Sequence, residues 1–273
     1  MEHEYYRYDK EQLLKAPNIT LICRPDNETV FREMARQMAE EIKLHNSKNE
    51  KTVIICPVGP VGQYPYFVEL VNTEQISLKQ VWFINMDEYL DDRGAWLPKE
   101  HLLSFRGFME RNVYEKIKPE LVMPEEQRIF PDPDHLLQIP ALIEQLGGVN
   151  IAFGGIGMNG HVAFNEADQT LTPDEFMQQK TRKLTIAPET RAANAIGDFN
   201  GALEDMPQEC VTVGIYEIAQ ARKIRLSVFR NWHRAVVRRA AYGEVSTAFP
   251  VTLLRGHPDL TITLTEYVAG LGV

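Results

Sequence analysis

The sequence predicts a three-layer α/β fold around a mostly parallel central sheet, on two observations. Apolar runs without polar alternation recur along the chain, as in TVIIC at 52–56 and VNIAFG at 149–154, which suits strands covered on both faces. Helical stretches of ten to twenty residues separate them, the spacing of βα units. No internal repeat or low-complexity linker interrupts the pattern. One domain over 18–273 follows, preceded by a polar and aromatic extension over 1–17.

The elements follow in order. NITLICR at 18–24 reads as the first strand. In 26–46, Val30, Met34, Met38 and Ile42 recur every fourth residue, an amphipathic helix with Asn27 or Glu28 near its start. The run at 52–60 is a buried strand interrupted by Pro57 and Gly59. A strand from Val81 to Ile84 passes into a loop carrying Asn85, Asp87 and Glu88. Residues 99–116 form a helix, and so do 133–148, with Gly147 and Gly148 as the stop and Pro140 as a kink. Residues 149–157 are the next buried strand. Strands at 211–214, 223–229 and 259–265 complete the sheet, with a helix over 231–241 between the last two. The polar stretch 169–179 reads as an excursion or lid, and the longer segment 169–208 as one that closes over the strand ends.

Composition excludes several classes. Thirty-eight acidic residues against 29 basic ones give a net charge of −9, which argues against a general nucleic-acid binder but not against a small anionic ligand. Cys23, Cys56 and Cys210 are odd in number and widely spaced, so free thiols are expected, the first two buried in strands. No apolar run approaches a membrane span and no leader precedes the first strand, which predicts a cytoplasmic chain. His101, His135, His233 and His257 lack ligand spacing, so no metal is expected.

Open α/β sheets carry their chemistry beyond the C-terminal ends of strands. Two such ends are unusual here. At 81–90, Asp87 and Glu88 follow an apolar strand, as proton-transfer groups or as loop and capping residues. At 153–167, Gly155, Gly157 and Gly160 have dinucleotide-fold spacing but lie mid-chain, so a sharp backbone turn against a ligand is the better reading. His161 and Glu166 follow at once, as an acid–base pair or as a histidine satisfied in the core.

The motifs Asn85-Met86-Asp87-Glu88-Tyr89 and Gly154 to Glu166 resemble the glucosamine-6-phosphate deaminase and galactosamine-6-phosphate isomerase family, within the wider superfamily of 6-phosphogluconolactonases. The resemblance spans 18–265 and continues in Thr190-Arg191-Ala192-Ala193-Asn194, Thr212-Val213-Gly214 and 245–250. It implies that family's Rossmann-like fold and an aldose–ketose isomerase that releases ammonia from an amino-sugar 6-phosphate. It further implies Asp87 as the base between C2 and C1, and His161 assisting ring opening with Glu166 and Asn159 in support. Asn159 stands where the glucosamine deaminases usually have aspartate and resembles the galactosamine branch. The implied partner is a small sugar, with a homo-oligomer possible through 249–254, which is otherwise core.

The phosphate subsite departs from the family pattern. Gly59, Pro60, Val61 and Gly62 stand where a hydroxyl-rich loop is usual, and Pro60 removes an amide. A usual arginine falls at Ile196 and a usual lysine at His233. Either Arg230, His233 and Arg234 rebuild a phosphate site, or the ligand differs at C6; Arg230, Arg234, Arg238 and Arg239 also read as a solvated helix face. Glu88, Gly155, Gly157 and Arg191 complete the expected substrate contacts. Of the family's allosteric phosphate site only Arg182 has a match, so no amino-sugar activation is expected. The competing functions are an isomerase or lactonase-type hydrolase on a non-phosphorylated or differently acidic sugar, and a non-catalytic sugar-binding protein.

Overall fold

A computed structural model describes residues 3–271. In chain order it contains α1 (Lys10–Leu14), β1 (Thr20–Arg24), α2 (Asn27–Asn46), β2 (Thr52–Cys56), α3 (Tyr64–Thr73), β3 (Val81–Asn85), β4 (Asp87–Leu90), α4 (Phe105–Asn112), β5 (Arg128–Ile129), α5 (Gln138–Leu146) and β6 (Ile151–Gly154). Then follow α6 (Pro173–Met177), β7 (Arg182–Thr185), α7 (Pro188–Asp198), β8 (Glu209–Thr212), α8 (Ile215–Ala219), β9 (Lys223–Val228), α9 (His233–Tyr242), β10 (Leu260–Thr265) and α10 (Glu266–Ala269).

Seven strands pair in the order β1-β10-β9-β6-β2-β3-β5, all in parallel. Alternation along each strand feeds two separate cores. Val53, Ile55, Leu226 and Ile262 pack on one face with α5, α8 and α9, while Ile54, Cys56, Phe83 and Phe153 pack on the other with α2 and α3. That is the three-layer Rossmann-like α/β arrangement the sequence predicts. Strand order reverses between β2 and β6, the switch point at which such sheets open a crevice.

The small second sheet was not foreseen. β4, β8 and β7 pair antiparallel, so Asp87 to Leu90 form a strand and not the expected loop, and 209–212 join this sheet and not the parallel one. The cause is tertiary: Met86 N donates to Cys56 O while Met86 O accepts from Val213 N, which hands the chain from one sheet to the other at a single residue. A third, smaller core of Tyr89, Leu103, Phe164, Ile186 and Cys210 forms beneath it.

Other departures have local reasons. The helix expected over 99–116 begins only at Phe105, where the Ser104 hydroxyl caps Gly107 N. The helix expected over 133–148 starts at Gln138, which places Pro140 in the first turn, where its missing N–H costs no helical bond. α3 and α7 were not expected. Leu13 of the N-terminal segment is fully buried in the main core. Cys56 and Cys210 are buried, Cys23 half-buried, and all three are free thiols. Residues 249–254 lie mostly within the core. No helix among the described residues is long and apolar enough to cross a membrane.

Candidate active site

The crevice at the switch point collects the ends of four strands. Pro57 to Pro60 follow β2, Asp87 follows β3, Gly155 to His161 follow β6, and Ser227 to His233 end β9. Tyr89, Phe105, Phe164, Phe229 and Trp232 complete the walls, with Asn194 of α7 at one side.

Asp87 and Glu88 are adjacent in β4 and therefore point to opposite faces. Asp87 lines the crevice, only 7% exposed. Among the described residues no group donates a hydrogen bond to its carboxylate. Burial, and secondarily the nearby Glu88 charge, push its pKa well above the ordinary aspartate range. Glu88 faces away and lies outside the crevice. It accepts from Phe105 N at 3.0 Å, Arg106 N at 2.8 Å and Ser104 Oγ at 3.1 Å, and pairs with the Arg106 guanidinium at 3.4 Å. Its carboxylate thus sits at the N-terminal end of α4, where anions are favoured. Burial raises it despite those partners.

His161 is held by a polar cluster. Its Nδ1 lies 2.7 Å from Asn159 Oδ1 and 3.3 Å from Glu166 Oε2. Two oxygen acceptors at Nδ1 place the proton there and leave Nε2 for a ligand. Gly157 makes the ring's position possible, since a Cβ there would lie 1.9 Å from His161 Cε1. Asn159 donates through Nδ2 to Glu166 at 2.7 Å and to Glu189 at 3.1 Å, an amide between two carboxylates. Thr190 Oγ1 also donates to Glu166, at 3.1 Å. Burial would raise Glu166, but His161, Asn159 and Thr190 outweigh it and hold the carboxyl below its ordinary range.

Comparison with known proteins decides the lineage. No family model matches the chain. A glucosamine-6-phosphate deaminase of Thermoanaerobacter pseudethanolicus is 30% identical over 254 residues, covering 88% of this chain and 92% of that protein. One of Parabacteroides distasonis is 30% identical over 251 residues, 90% of this chain and 88% of its own. The chain belongs to the glucosamine-6-phosphate deaminase superfamily. A solved monomeric glucosamine-6-phosphate deaminase superposes with a TM-score of 0.80 at 25% identity, covering 92% of this chain and 99% of that one. A 6-phosphogluconolactonase from Trypanosoma cruzi shares the fold at a TM-score of 0.65 and 15% identity, over 92% and 96% of the two chains.

Within this deaminase superfamily chain, the expected site residues fall into three groups. Asp87, His161, Gly59, Pro60, Gly155, Gly157, Arg230 and His233 line the crevice, and Asn159 and Glu166 stand directly behind His161. Val61 and Gly62 line an adjoining cleft. Glu88 and Arg191 are engaged elsewhere: Arg191 donates to the carbonyls of Leu203, Met206 and Pro207, tying down the loop after α7.

His233 does not supply the cation of a rebuilt phosphate site. Its Nδ1 accepts from Phe229 N and Arg230 N at 2.9 and 2.7 Å, and Nε2 donates to Ile156 O at 3.0 Å. Burial lowers its pKa to about 3, so it is a neutral pin between β9 and the β6 loop. The arginine run is not a solvated face either. Arg238 is 1% exposed and donates to the carbonyls of Tyr8, Arg234, Val268 and Ala269, while Arg234 stacks on Tyr267. Arg182 donates to Asn165 at 2.7 Å.

Glu189, Thr190, Asn194 and Tyr89 join the expected residues at or behind the crevice. Asn194 donates to the Tyr89 phenol at 2.9 Å. Thr190 and Asn194 sit four apart on α7, a signal that one helix face serves the site. Among the described residues no cluster of three or more His, Cys, Asp or Glu side chains could hold a metal ion.

Proposed function

We propose that this protein isomerises and deaminates an open-chain 2-amino-2-deoxy sugar, with Asp87 moving the proton between C2 and C1. The observation that carries this reading is the pairing in one crevice of a buried, unpartnered carboxylate with a histidine whose orientation is set from behind. The relatives' names point to the same substrate class, a glucosamine phosphate.

The geometry supports the following chemistry. His161 Nε2 exchanges protons with the ring oxygen and anomeric hydroxyl, opening the pyranose, and Glu166 sustains the imidazolium that forms on the way. The sugar ammonium brings a positive charge next to Asp87, which favours its ionised form against the pull of burial. Asp87 then takes the C2 proton, the electron pair forms the C1–C2 double bond, and the carbonyl oxygen becomes a hydroxyl by taking up the proton that the ammonium gives up, which leaves an enolamine. Return of the proton to C1 leaves an imine at C2. Water adds there and ammonia departs, so aldose amine plus water gives ketose plus ammonia. The two groups are held differently: Asp87 is desolvated and without a hydrogen-bond donor, and His161 is oriented by Asn159 and Glu166.

The experiment follows solvent deuterium at C2 together with ammonia release. Glucosamine and galactosamine are supplied with and without a 6-phosphate. Exchange with ammonia from any of them is expected, and Asp87→Asn should abolish both. Exchange that survives in Asp87→Asn removes Asp87 as the base. Absence of exchange with all four compounds removes the amino-sugar reading.

A further inference from the structure

The first turn of α7 reaches behind the histidine. Thr190, 1% exposed, donates its hydroxyl to Glu166 Oε2 at 3.1 Å, and its oxygen lies 3.4 Å from His161 Nδ1. Glu189, exposed on the same turn, accepts from Asn159 Nδ2 at 3.1 Å. Ala187 N, just ahead of the turn, donates to Glu166 Oε1 at 3.4 Å.

These contacts decide which way the Asn159 amide points. Its Nδ2 lies between Glu166 and Glu189, at 2.7 and 3.1 Å, and a carboxylate can only accept. Reversal would turn the amide oxygen onto two carboxylates. Oδ1 is therefore left to face His161 Nδ1 at 2.7 Å and His161 N at 3.3 Å. The Thr190 hydroxyl has one proton, and the Glu166 carboxylate is its strongest acceptor. Its oxygen thus turns a lone pair to the ring. Three oxygens then surround Nδ1, from Asn159, Glu166 and Thr190, while Nε2 has no partner among the described residues. A free histidine side chain prefers its proton on Nε2, so these surroundings reverse the intrinsic choice.

α7 keeps its place without these two side chains. Arg191 ties it to the carbonyls of Leu203, Met206 and Pro207, Asn194 bonds the Tyr89 phenol, and Ala195 is buried. Removing the Thr190 hydroxyl or the Glu189 carboxylate is therefore a local change.

We infer that the first turn of α7 is a positioning element, in which Thr190 and Glu189 hold Glu166 and Asn159 so that neutral His161 keeps its proton on Nδ1. The inference rests on the proposed reaction only for what the free Nε2 does.

Ring-nitrogen NMR of the full-length ¹⁵N-labelled protein reads the tautomer, with the His161 signals assigned by their loss in His161→Gln. The parent should show a protonated Nδ1 and an unprotonated Nε2. In the double variant Thr190→Val with Glu189→Ala, roughly a fifth or more of the neutral ring should move its proton to Nε2. Thr190→Ser keeps the hydroxyl and should keep the parent tautomer. Glu189→Ala alone, at an exposed position, should move the ring the same way by less, and it carries the test if the buried change unfolds the chain. On whichever amino sugar turns over, the double variant should lower kcat about fivefold and leave KM within about twofold. A parent ring protonated on Nε2, or the parent tautomer in every variant that folds, overturns the inference. A Thr190→Ser ring that shifts as far as that of Thr190→Val overturns it too, because packing and not the hydroxyl would then be at work. The two readings fail separately. A tautomer shift with no turnover of any compound keeps the positioning element and sinks the reaction, whereas turnover with an unmoved tautomer keeps the reaction and sinks the positioning element.

Discussion

The two ends of one crevice are built on opposite physical plans. Around His161, the side chains of Asn159, Glu166, Glu189 and Thr190 form a continuous hydrogen-bonded cluster. Around 57–62 the walls are mainly aliphatic and aromatic, and the Gln63 and Ser104 side chains are turned to Pro60 O and to Glu88. Asp87 lies between the two plans, desolvated and with no hydrogen-bond donor to its carboxylate among the described residues. The difference teaches that one crevice can join a cluster fixed by directional hydrogen bonds to a wall fixed by packed apolar surface, because the first depends on donor–acceptor geometry and the second on contact alone.

The comparison breaks most sharply at Asp87. Asp87→Asn should lower C2 exchange by roughly 10³-fold, within the range of a lost general base, as read by deuterium incorporation. The same substitution should stabilise the fold. A carboxyl whose pKa is raised by folding contributes stability that is fully present below its unfolded pKa and lost as pH rises through the folded one. The melting temperature of Asp87→Asn should therefore exceed that of the parent near neutrality, with the gap shrinking as the pH falls. A constant gap would mean that Asp87 is not the desolvated group described.

Glu88 tests the reverse expectation at the neighbouring position. Glu88→Ala strips partners from two α4 amides and the Arg106 guanidinium, at a cost of about 3 kcal/mol or more in denaturant unfolding. A loss below about 1 kcal/mol would refute the anchoring role.

Asn159→Asp sharpens the polar plan. It replaces the amide donor between Glu166 and Glu189 with a third carboxylate, and kcat/KM should fall roughly tenfold, within the range of a disturbed acid–base group. Unchanged kcat/KM would show that the amide at Asn159 is not needed to hold Glu166 against His161.

The acid limb of kcat/KM in the parent is the smallest effect. A base that must be ionised, with its pKa pushed up, makes activity rise with pH at values above the ordinary carboxylate range. A limb at or below the ordinary aspartate pKa would assign it to another group.

Legibility followed burial. β2 and β6 could be read directly, because strands covered on both faces are apolar nearly throughout, and β9 and β10 from aliphatic residues at every second position. β4 and β7 could not: DEYL and RKLT carry charges and become strands only through pairing with β8. The site divides in the same way. Asp87, His161 and Glu166 were visible because residue types that move protons stood at strand ends, whereas Glu189 and Thr190 enter only because α7 folds back on the β6 loop.

What the chain by itself determined is the layered sheet, the place of the crevice at its strand ends and the lineage, since periodicity and local motifs are properties of neighbouring residues. Only the tertiary structure decided that Asp87 and Glu88 serve opposite purposes, that His233 is a neutral pin, and that the loop after β2 faces an apolar cleft. Those outcomes depend on which groups meet across tens of residues and on how much water remains between them, and desolvation and hydrogen bonding are set by that meeting.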